Sequence, residues 1–184
     1  MTKADRQAAK SANFGLLCGV GASRLRSYAR AAYGVELSEE QAHDYRERFF
    51  ETYAGLRRWH QPEPDHPVAT RTLARRRRLD VDRFTEKLNT PIQGTGADGL
   101  KLALALLFGR GGDLPKARPM LAVHHEIVVE CEESDVGNAR GWLESAMRQG
   151  MGSRLRRVPV EVEVEGAAAR DWSMSEPLAG VIAC

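Results

Sequence analysis

Apolar residues recur three and four positions apart over much of the first half of the chain. This spacing predicts helices over 3–20 and 23–33, and the second is expected to end at Gly34. No capping residue is recognised before the first helix. A capping box at 38–41 predicts a third helix that stops before the proline-rich segment 61–67. Its apolar face is expected to carry Tyr45, Phe49, Tyr53, Leu56 and Trp59.

The central part of the chain predicts a short extended region followed by one long helix. Residues 68–78 alternate loosely, which favours a hairpin or an extended segment. Residues 82–108 are predominantly helical in pattern, with a bend expected near Pro91 and Gly94. The last nine residues of this helix are apolar almost all round, which is typical of a buried helix.

An apolar run at 120–123 and a run rich in β-branched residues at 127–131 predict a tight antiparallel hairpin. Ser134 is expected to cap a helix that runs to about residue 150. Valines alternate with glutamates or proline over 158–165, the clearest strand pattern in the chain. This order of helices, hairpin, helix and strand predicts an α+β fold with a small antiparallel sheet.

Composition excludes two classes of protein. The chain has 184 residues, of which 42% are hydrophobic and 28% charged, and this excludes a membrane protein and a fully disordered one. No run of 18 apolar residues occurs. The three scattered cysteines, Cys18, Cys131 and Cys184, form neither a disulfide framework nor a zinc signature, and they favour a reducing cytoplasm.

The modest net charge of +2 conceals an uneven distribution. Residues 1–118 carry a formal charge of +7 and residues 119–184 carry −5, and 22 of the 27 cations are arginine. Arginine has the planar fork that suits phosphate. Two interpretations stay open: a genome rich in arginine codons, or a basic surface for a polyanion beside an acidic segment.

Four residues on the first predicted helix recur every four positions: Arg6, Lys10, Phe14 and Cys18. This spacing places them along one stripe of a helix. Two cations one turn apart, followed by an aromatic ring, can grip a triphosphate and pack against its sugar or base. The alternative is a solvated basic helix end followed by a core phenylalanine, and spacing alone favours it.

Three segments resemble motifs of the family A DNA polymerases. Residues 6–19 are similar to motif B, R-x-x-x-K-x-x-x-F-G-x-x-Y-G, and residues 89–98 are similar to the N-x-P-x-Q-G-T-x-A-D segment. Residues 121–130 resemble motif C, whose core is V-H-D-E, and Asp171-Trp172 resembles the family's terminal D-W. Several motifs in the family's order make the resemblance specific.

The resemblance spans residues 3–175 and implies part of a right-hand polymerase domain, with fingers helices and an incomplete antiparallel palm sheet. It implies fingers helices with motif B over 1–60 and a linker or hairpin rich in proline and arginine over 61–81. A palm portion with motif C is expected over 82–175, followed by a tail over 176–184.

The resemblance also implies roles for individual residues. Incoming-nucleotide contacts are implied for Arg6, Lys10, Phe14 and Cys18. Catalytic positions are implied for Lys10, His125 and Glu126. Primer–template contacts are implied for Asn89, Gln93 and His124. The run Arg75, Arg76, Arg77 and Arg78 can meet nucleic-acid backbone, and a solvated turn fits it as well.

The metal position departs from the family's pattern. The resemblance implies a two-Mg²⁺ reaction whose ligands are chiefly one aspartate in motif A and one in motif C. Motif A, D-Y-S-x-x-E-L-R, is not found ahead of Arg6, and His125 replaces the motif C aspartate beside Glu126. Imidazole suits zinc, copper or nickel better than magnesium. The chain alone is therefore expected not to polymerise, and His125 and Glu126 form a degenerate metal position.

Three hypotheses for the function follow. The first is a truncated family A DNA-directed DNA polymerase, a nucleotidyltransferase of DNA replication and repair. Its partners would be primer–template DNA and dNTP, with an upstream polypeptide supplying motif A and no membrane involved. The second is a relic that binds DNA or nucleotide without catalysis. The third is a protein-interaction module with no nucleic-acid role.

Overall fold

A computed structural model describes residues 2–60, 67–109 and 116–171 of the chain. Within these ranges lie six α-helices, one short 3-10 helix at Glu133–Asp135 and four strands. The helices are α1 (Lys3–Leu17), α2 (Ala22–Tyr33), α3 (Glu39–Thr52), α4 (Ala54–Trp59), α5 (Phe84–Gly109) and α6 (Val136–Leu155). The strands are β1 (Val68–Arg71), β2 (Arg77–Val81), β3 (Ala117–Val123) and β4 (Glu126–Cys131). No helix in these ranges has both the length and the apolar character needed to cross a membrane.

The mixture of helices and small antiparallel sheets agrees with the predicted α+β class. The chain divides into two compact units. The first unit comprises Met1–Arg71 and Arg77–Ile92, and the second comprises Thr72–Arg76 and Gln93–Cys184. The boundary between the two units falls inside α5, between Ile92 and Gln93. The tip of the β1–β2 hairpin therefore belongs to the second unit, although both of its strands belong to the first.

Helices α1, α2 and α3 pack around the apolar core of the first unit. Leu16, Leu25 and Ala29 are fully buried there, and α3 contributes Phe49 and Phe50. The two phenylalanine rings meet edge to face, with centroids 5.2 Å apart. Burial of a large apolar side chain stabilises a fold by roughly 1.5–3 kcal/mol. This core therefore holds one face of α1 firmly.

Local hydrogen bonds set the ends of these helices. The backbone N–H of Asp5 donates to the Thr2 hydroxyl at 3.1 Å, and the N–H of Thr2 donates to the Asp5 carboxylate at 2.8 Å. The prediction of an uncapped first helix is therefore wrong, because Asp5 replaces the Glu or Gln of the usual capping box. The predicted box of Ser38 and Gln41 is confirmed, as is the end of α2 at Gly34.

The single helix predicted to run to Trp59 is wrong. The chain breaks at Tyr53, where φ is −112° and ψ is 62°, and two helices, α3 and α4, result. Tyr53 and Trp59 of the predicted apolar face are exposed, whereas Phe50, outside that face, is buried. The spacing of apolar residues predicts helical segments, but it does not predict the residue at which a helix is interrupted.

Helix α5 continues through Pro91 with help from the neighbouring hairpin. Proline has no N–H for the carbonyl four residues earlier, which belongs to Lys87. The hydroxyl of Thr70 in β1 donates to this carbonyl at 3.4 Å. The hairpin thus supplies a donor that the proline lacks. Strands β1 and β2 pair antiparallel, so the hairpin is the one of the two predicted forms, hairpin or extended segment, that occurs, and its second strand continues past residue 78 to Val81.

Helices α5 and α6 cross closely in the second unit. The core there is formed by Ala103, Leu107, Ile127 and Ala146. A Cβ atom added at Gly150 of α6 would lie 2.6 Å from the carbonyl oxygen of Gly99 and 2.7 Å from the backbone nitrogen of Ala103. Both neighbours are backbone atoms of α5. Only glycine at position 150 permits this approach.

The helix predicted to be capped by Ser134 begins later than expected. Ser134 lies in the 3-10 helix, and α6 begins after Asp135 and continues past residue 150. The Asp135 carboxylate accepts hydrogen bonds from the backbone N–H of Lys116 and from the Asn138 side chain, both at 2.8 Å. The bond from Asn138 and then the bond from Lys116 lower the pKa of Asp135, which is both the last residue of the 3-10 helix and the N-cap of α6.

The hairpin of β3 and β4 is confirmed, but the strand predicted over 158–165 is wrong. Val162 and Val164 are half-buried between exposed glutamates, as the alternation predicts. A strand also needs a partner for its backbone groups, and among the described residues none pairs with this segment. Likewise, Phe108 at the end of α5 is 71% exposed, so the expectation of burial all round that helix is wrong.

Candidate functional site

The four residues spaced along α1 form one stripe on its surface. Arg6 and Lys10 are exposed, Phe14 is 52% exposed, and Cys18 just beyond the helix is half-buried. Neither Arg6 nor Lys10 forms an ion pair within the described part of the chain. The expectation of a core phenylalanine therefore fails at Phe14. Two unneutralised cations and an accessible ring follow one another on one helix face.

The buried face of α1 lies beside the stripe and explains why the stripe points outward. Ser11 is fully buried, and its hydroxyl donates to the carbonyl of Ala8 at 2.8 Å. A Cβ atom added at Gly15 would lie 3.0 Å from Leu25 and 3.1 Å from the ring of Tyr28. Helices α1 and α2 thus pack tightly at this glycine. The packing fixes the rotation of α1 and leaves the stripe on the surface.

The C-terminal end of α1 meets a histidine. The Nε2 atom of His60 lies 3.2 Å from the carbonyl oxygen of Leu17, and its ring packs edge to face against Phe50 and Phe84. Burial lowers the pKa of His60, the Leu17 carbonyl opposes that shift, and Arg46 lowers the pKa further. Burial also raises the pKa of the Cys18 thiol, so this group is a neutral part of the stripe at neutral pH.

The arginine run does not act as one group. Arg76 donates from Nε to the Asp98 carboxylate at 2.7 Å, and Arg78 contacts the Glu86 carboxylate at 2.8 Å. Arg75 has a positive φ of 66°. Arg75 and Arg77 have no ion pair with any described residue. Two of the four predicted DNA contacts are therefore already bound to carboxylates, which the run of identical letters did not reveal.

A buried carboxylate ties the hairpin tip to α5 in the second unit. The Asp98 side chain is only 8% exposed, and Arg76 also donates to the carbonyl of Gly94 at 3.2 Å. The backbone N–H of Leu73 donates to the hydroxyl of Thr95 at 3.0 Å. We call Leu73, Arg76, Gly94, Thr95 and Asp98 the hairpin clasp. Gln93, a predicted primer–template contact, is exposed and directly precedes it.

Opposing effects determine the pKa of Asp98. Burial raises it, whereas hydrogen bonding from Thr72 and the charge and hydrogen bond of Arg76 lower it, with a further contribution from Lys101. The net result is a pKa below the ordinary aspartate value. The sequence motif contains Asp98, but the motif alone does not indicate that its carboxylate accepts a hydrogen bond from Arg76. The sequence shows only an aspartate four residues after Gly94.

The second candidate cluster is the two-residue turn between β3 and β4. Val123 pairs with Glu126, which leaves His124 and His125 as the turn. His124, His125 and Glu126 are all exposed. His124 has a positive φ of 54°, a conformation that glycine adopts most easily. Asn89, another predicted DNA contact, is half-buried on α5. The turn therefore presents His124, His125 and Glu126 consecutively at an exposed tip.

The donor set at this turn bears on the implied Mg²⁺. Magnesium favours several hard oxygen ligands in octahedral geometry. Here one carboxylate, Glu126, stands beside the imidazole of His125. Within the described ranges, no group of three or more His, Cys, Asp or Glu residues is placed to hold a metal ion. The residues present at the turn do not fit Mg²⁺.

Comparison with known proteins gives concordant results. The family model described as DNA polymerase family A matches residues 1–174. DNA polymerase I of Aquifex aeolicus (strain VF5) is 42% identical over 172 residues, which cover 89% of this chain and 29% of that protein. The thermostable DNA polymerase I of Thermus thermophilus is 34% identical over 181 residues, which cover 91% of this chain and 20% of that protein.

A solved structure agrees with these sequence matches. The polymerase domain of Pol1 from M. smegmatis, in complex with DNA primer-template and dNTP, superposes with a TM-score of 0.66 and 26% sequence identity. The match covers 81% of this chain and 28% of that chain. The chain thus spans between a fifth and three tenths of the length of these relatives.

Proposed function

Because the chain belongs to DNA polymerase family A, we propose that it supplies the nucleotide-binding and primer–template-binding surfaces of a DNA-directed DNA polymerase. The reaction of that polymerase would be template-directed nucleotidyl transfer from dNTPs in replication or repair. Residues 1–60 would form its fingers helices and residues 82–175 part of its palm. We also propose a cytoplasmic location, the compartment that the scattered cysteines favour.

The α1 stripe is the observation that carries the proposal. Arg6 and Lys10 project from one exposed face without carboxylate partners among the described residues, and Phe14 follows one turn later. A triphosphate carries the negative charge that two adjacent cations bind, and an exposed ring packs against a sugar or base. Asn89, Gln93 and His124 would contact the primer–template. Arg6 and Lys10 would orient the triphosphate, so that the leaving group is held as the new bond forms.

We expect Lys10→Ala to weaken dNTP binding by the chain about tenfold, and Arg6→Ala/Lys10→Ala to weaken it further. Each loses a charge-assisted contact to phosphate, which is worth roughly 1.5–3 kcal/mol. The measurement is isothermal titration calorimetry with dNTP and no added metal. Arg30→Ala is the matched control, because Arg30 is paired with Glu36 on the same unit. Equal losses in Lys10→Ala and Arg30→Ala would contradict the proposed site.

Mg²⁺ is the cofactor that the family implies, and when bound it would activate the primer hydroxyl and hold the triphosphate. Since His125 and Glu126 do not fit Mg²⁺, no step through the metal is assigned to them. The imidazole of His125 is also the observation that favours a second candidate function, binding of DNA or nucleotide without catalysis. Both candidates predict binding of DNA and nucleotide by this chain, and they differ only in whether a polymerase that contains these surfaces extends a primer.

We expect primer extension by this chain with Mg²⁺ to stay at background, and His125→Asp to tighten Mn²⁺ binding at least fivefold. The substitution places a second hard oxygen ligand beside Glu126, and affinity for such ions rises with the number of charged ligands. Electron paramagnetic resonance of free Mn²⁺ measures the affinity. Ser145→Asp, an exposed position on α6, controls for the added negative charge. Robust synthesis by the unmodified chain would contradict the argument from His125.

A further inference from the structure

The register of the β1–β2 hairpin places two arginines directly opposite each other. Arg71 pairs with Arg77 across the antiparallel strands, and both are exposed. Side chains at directly opposite positions project from the same side of a two-stranded ribbon, with Cβ atoms about 5 Å apart. Like charges in this arrangement repel each other. The first unit therefore contains a pair that destabilises its own hairpin.

Two neighbouring arginines differ from this pair because each contacts a carboxylate. Arg78, next to Arg77 in β2, contacts the Glu86 carboxylate, and Arg76 contacts Asp98 in the hairpin clasp. Arg71 and Arg77 have no carboxylate partner among the residues that the structure describes. The hairpin thus contains two arginines bound to carboxylates, Arg76 and Arg78, and three that are not bound to any described carboxylate: Arg75 in the turn and the cross-strand pair Arg71 and Arg77.

We infer that Arg71 and Arg77 together bind the phosphate backbone of duplex DNA, whereas Arg76 and Arg78 hold the fold. A guanidinium group donates forked hydrogen bonds that match phosphate oxygens, and an anion between two guanidinium groups removes their repulsion. Contacts of this kind position a duplex without reading its sequence. The inference rests on the proposed function, which supplies DNA as the polyanion. It adds Arg71, which lies outside the motifs and the arginine run.

The test is DNA binding by the full chain over a series of KCl concentrations, followed by fluorescence anisotropy of a labelled duplex. We expect Arg71→Gln/Arg77→Gln to weaken binding about tenfold. The slope of log K against log salt should become shallower by between about 0.9 and 1.8, since one or two phosphate contacts are lost. Arg48→Gln is the matched control, because Arg48 is an exposed arginine already paired with Asp44. Its slope should equal that of the unmodified chain.

A second measurement separates binding from a structural role. Removal of two repelling charges leaves the melting temperature of Arg71→Gln/Arg77→Gln unchanged or raises it, while DNA binding falls. Arg71→Lys/Arg77→Lys keeps both charges and should keep the salt slope. A structural role would instead lower the melting temperature in the Gln variant. That result would overturn the inference.

The outcomes also separate this inference from the proposed function. If the unmodified chain binds DNA with a salt-dependent affinity and the Gln variant has the same slope, the inference is overturned and the proposed function stands. If the unmodified chain shows no salt-dependent DNA binding, the proposed function fails, and the assignment of Arg71 and Arg77 fails with it. A shallower slope with an intact melting transition supports both.

Discussion

Gly150→Ala is expected to lower the free energy of unfolding by about 3 kcal/mol, because overpacking at a site that cannot relax costs 1–3 kcal/mol or more. The added methyl would lie 2.6 Å from the carbonyl oxygen of Gly99 and 2.7 Å from the backbone nitrogen of Ala103. Neither atom can swing aside as a flexible side chain can. Helices α5 and α6 would have to separate, and the core around Ala146 would loosen. Urea denaturation followed by circular dichroism measures the change.

Gly141→Ala on the same helix is the control for this prediction. A Cβ atom there meets nothing within 4 Å, and the position is exposed. Alanine is favoured over glycine in a helix interior by roughly 0.5–1 kcal/mol, so Gly141→Ala should stabilise the chain. The two substitutions are chemically identical and should have opposite signs. If Gly150→Ala also stabilises the chain, α5 and α6 do not cross at Gly150.

Arg76→Met is expected to lower the free energy of unfolding by about 2 kcal/mol. It leaves the carboxylate of Asp98 buried without its cation, and removal of one partner from a fully buried pair costs about 3–5 kcal/mol. The smaller value applies here because the Arg76 side chain is 48% exposed. Asp98→Asn added to Arg76→Met should recover part of the loss, since the amide carries no charge. Additive effects of the two substitutions would show that they do not interact.

The Arg76–Asp98 pair also predicts how the free energy of unfolding depends on pH. The pKa of Asp98 is lower in the folded chain than the ordinary value of 3.8. A group of this kind contributes stability that is fully present above the unfolded pKa and is lost as pH falls through the folded pKa. The unmodified chain should therefore lose stability below about pH 4 more steeply than Arg76→Met does. Equal pH profiles would exclude Asp98 as the source.

Elements coded by neighbouring residues could be predicted from sequence. The capping box at Ser38 and Gln41, the end of α2 at Gly34 and the hairpin between β3 and β4 each depend on residues a few positions apart. The stripe of Arg6, Lys10 and Phe14 depends on helical spacing in the same way. Its exposure could not be predicted, because that depends on the close packing of α1 against α2.

Elements that depend on distant partners could not be predicted. Residues 158–165 have the alternation of a strand, but a strand forms only where another backbone lies beside it. The distinction between Arg76, bound to Asp98, and Arg77, opposite Arg71, follows from the hairpin register and from residues about 20 positions away. The four consecutive arginines therefore differ in the structure: Arg76 and Arg78 are bound to carboxylates, whereas Arg75 and Arg77 have no ion pair with a described residue.

The anchoring of α1 at three points has a consequence for affinity. An isolated helix of about 15 residues is marginal in water. Here Thr2 and Asp5 form a capping box at its N-terminus, and Gly15 lets it pack closely against α2. At its C-terminus the Nε2 atom of His60 lies 3.2 Å from the carbonyl oxygen of Leu17. Most of its conformational entropy is therefore lost during folding and not during ligand binding. A triphosphate that docks on Arg6 and Lys10 finds a pre-organised backbone, so the binding free energy is not spent on ordering the helix.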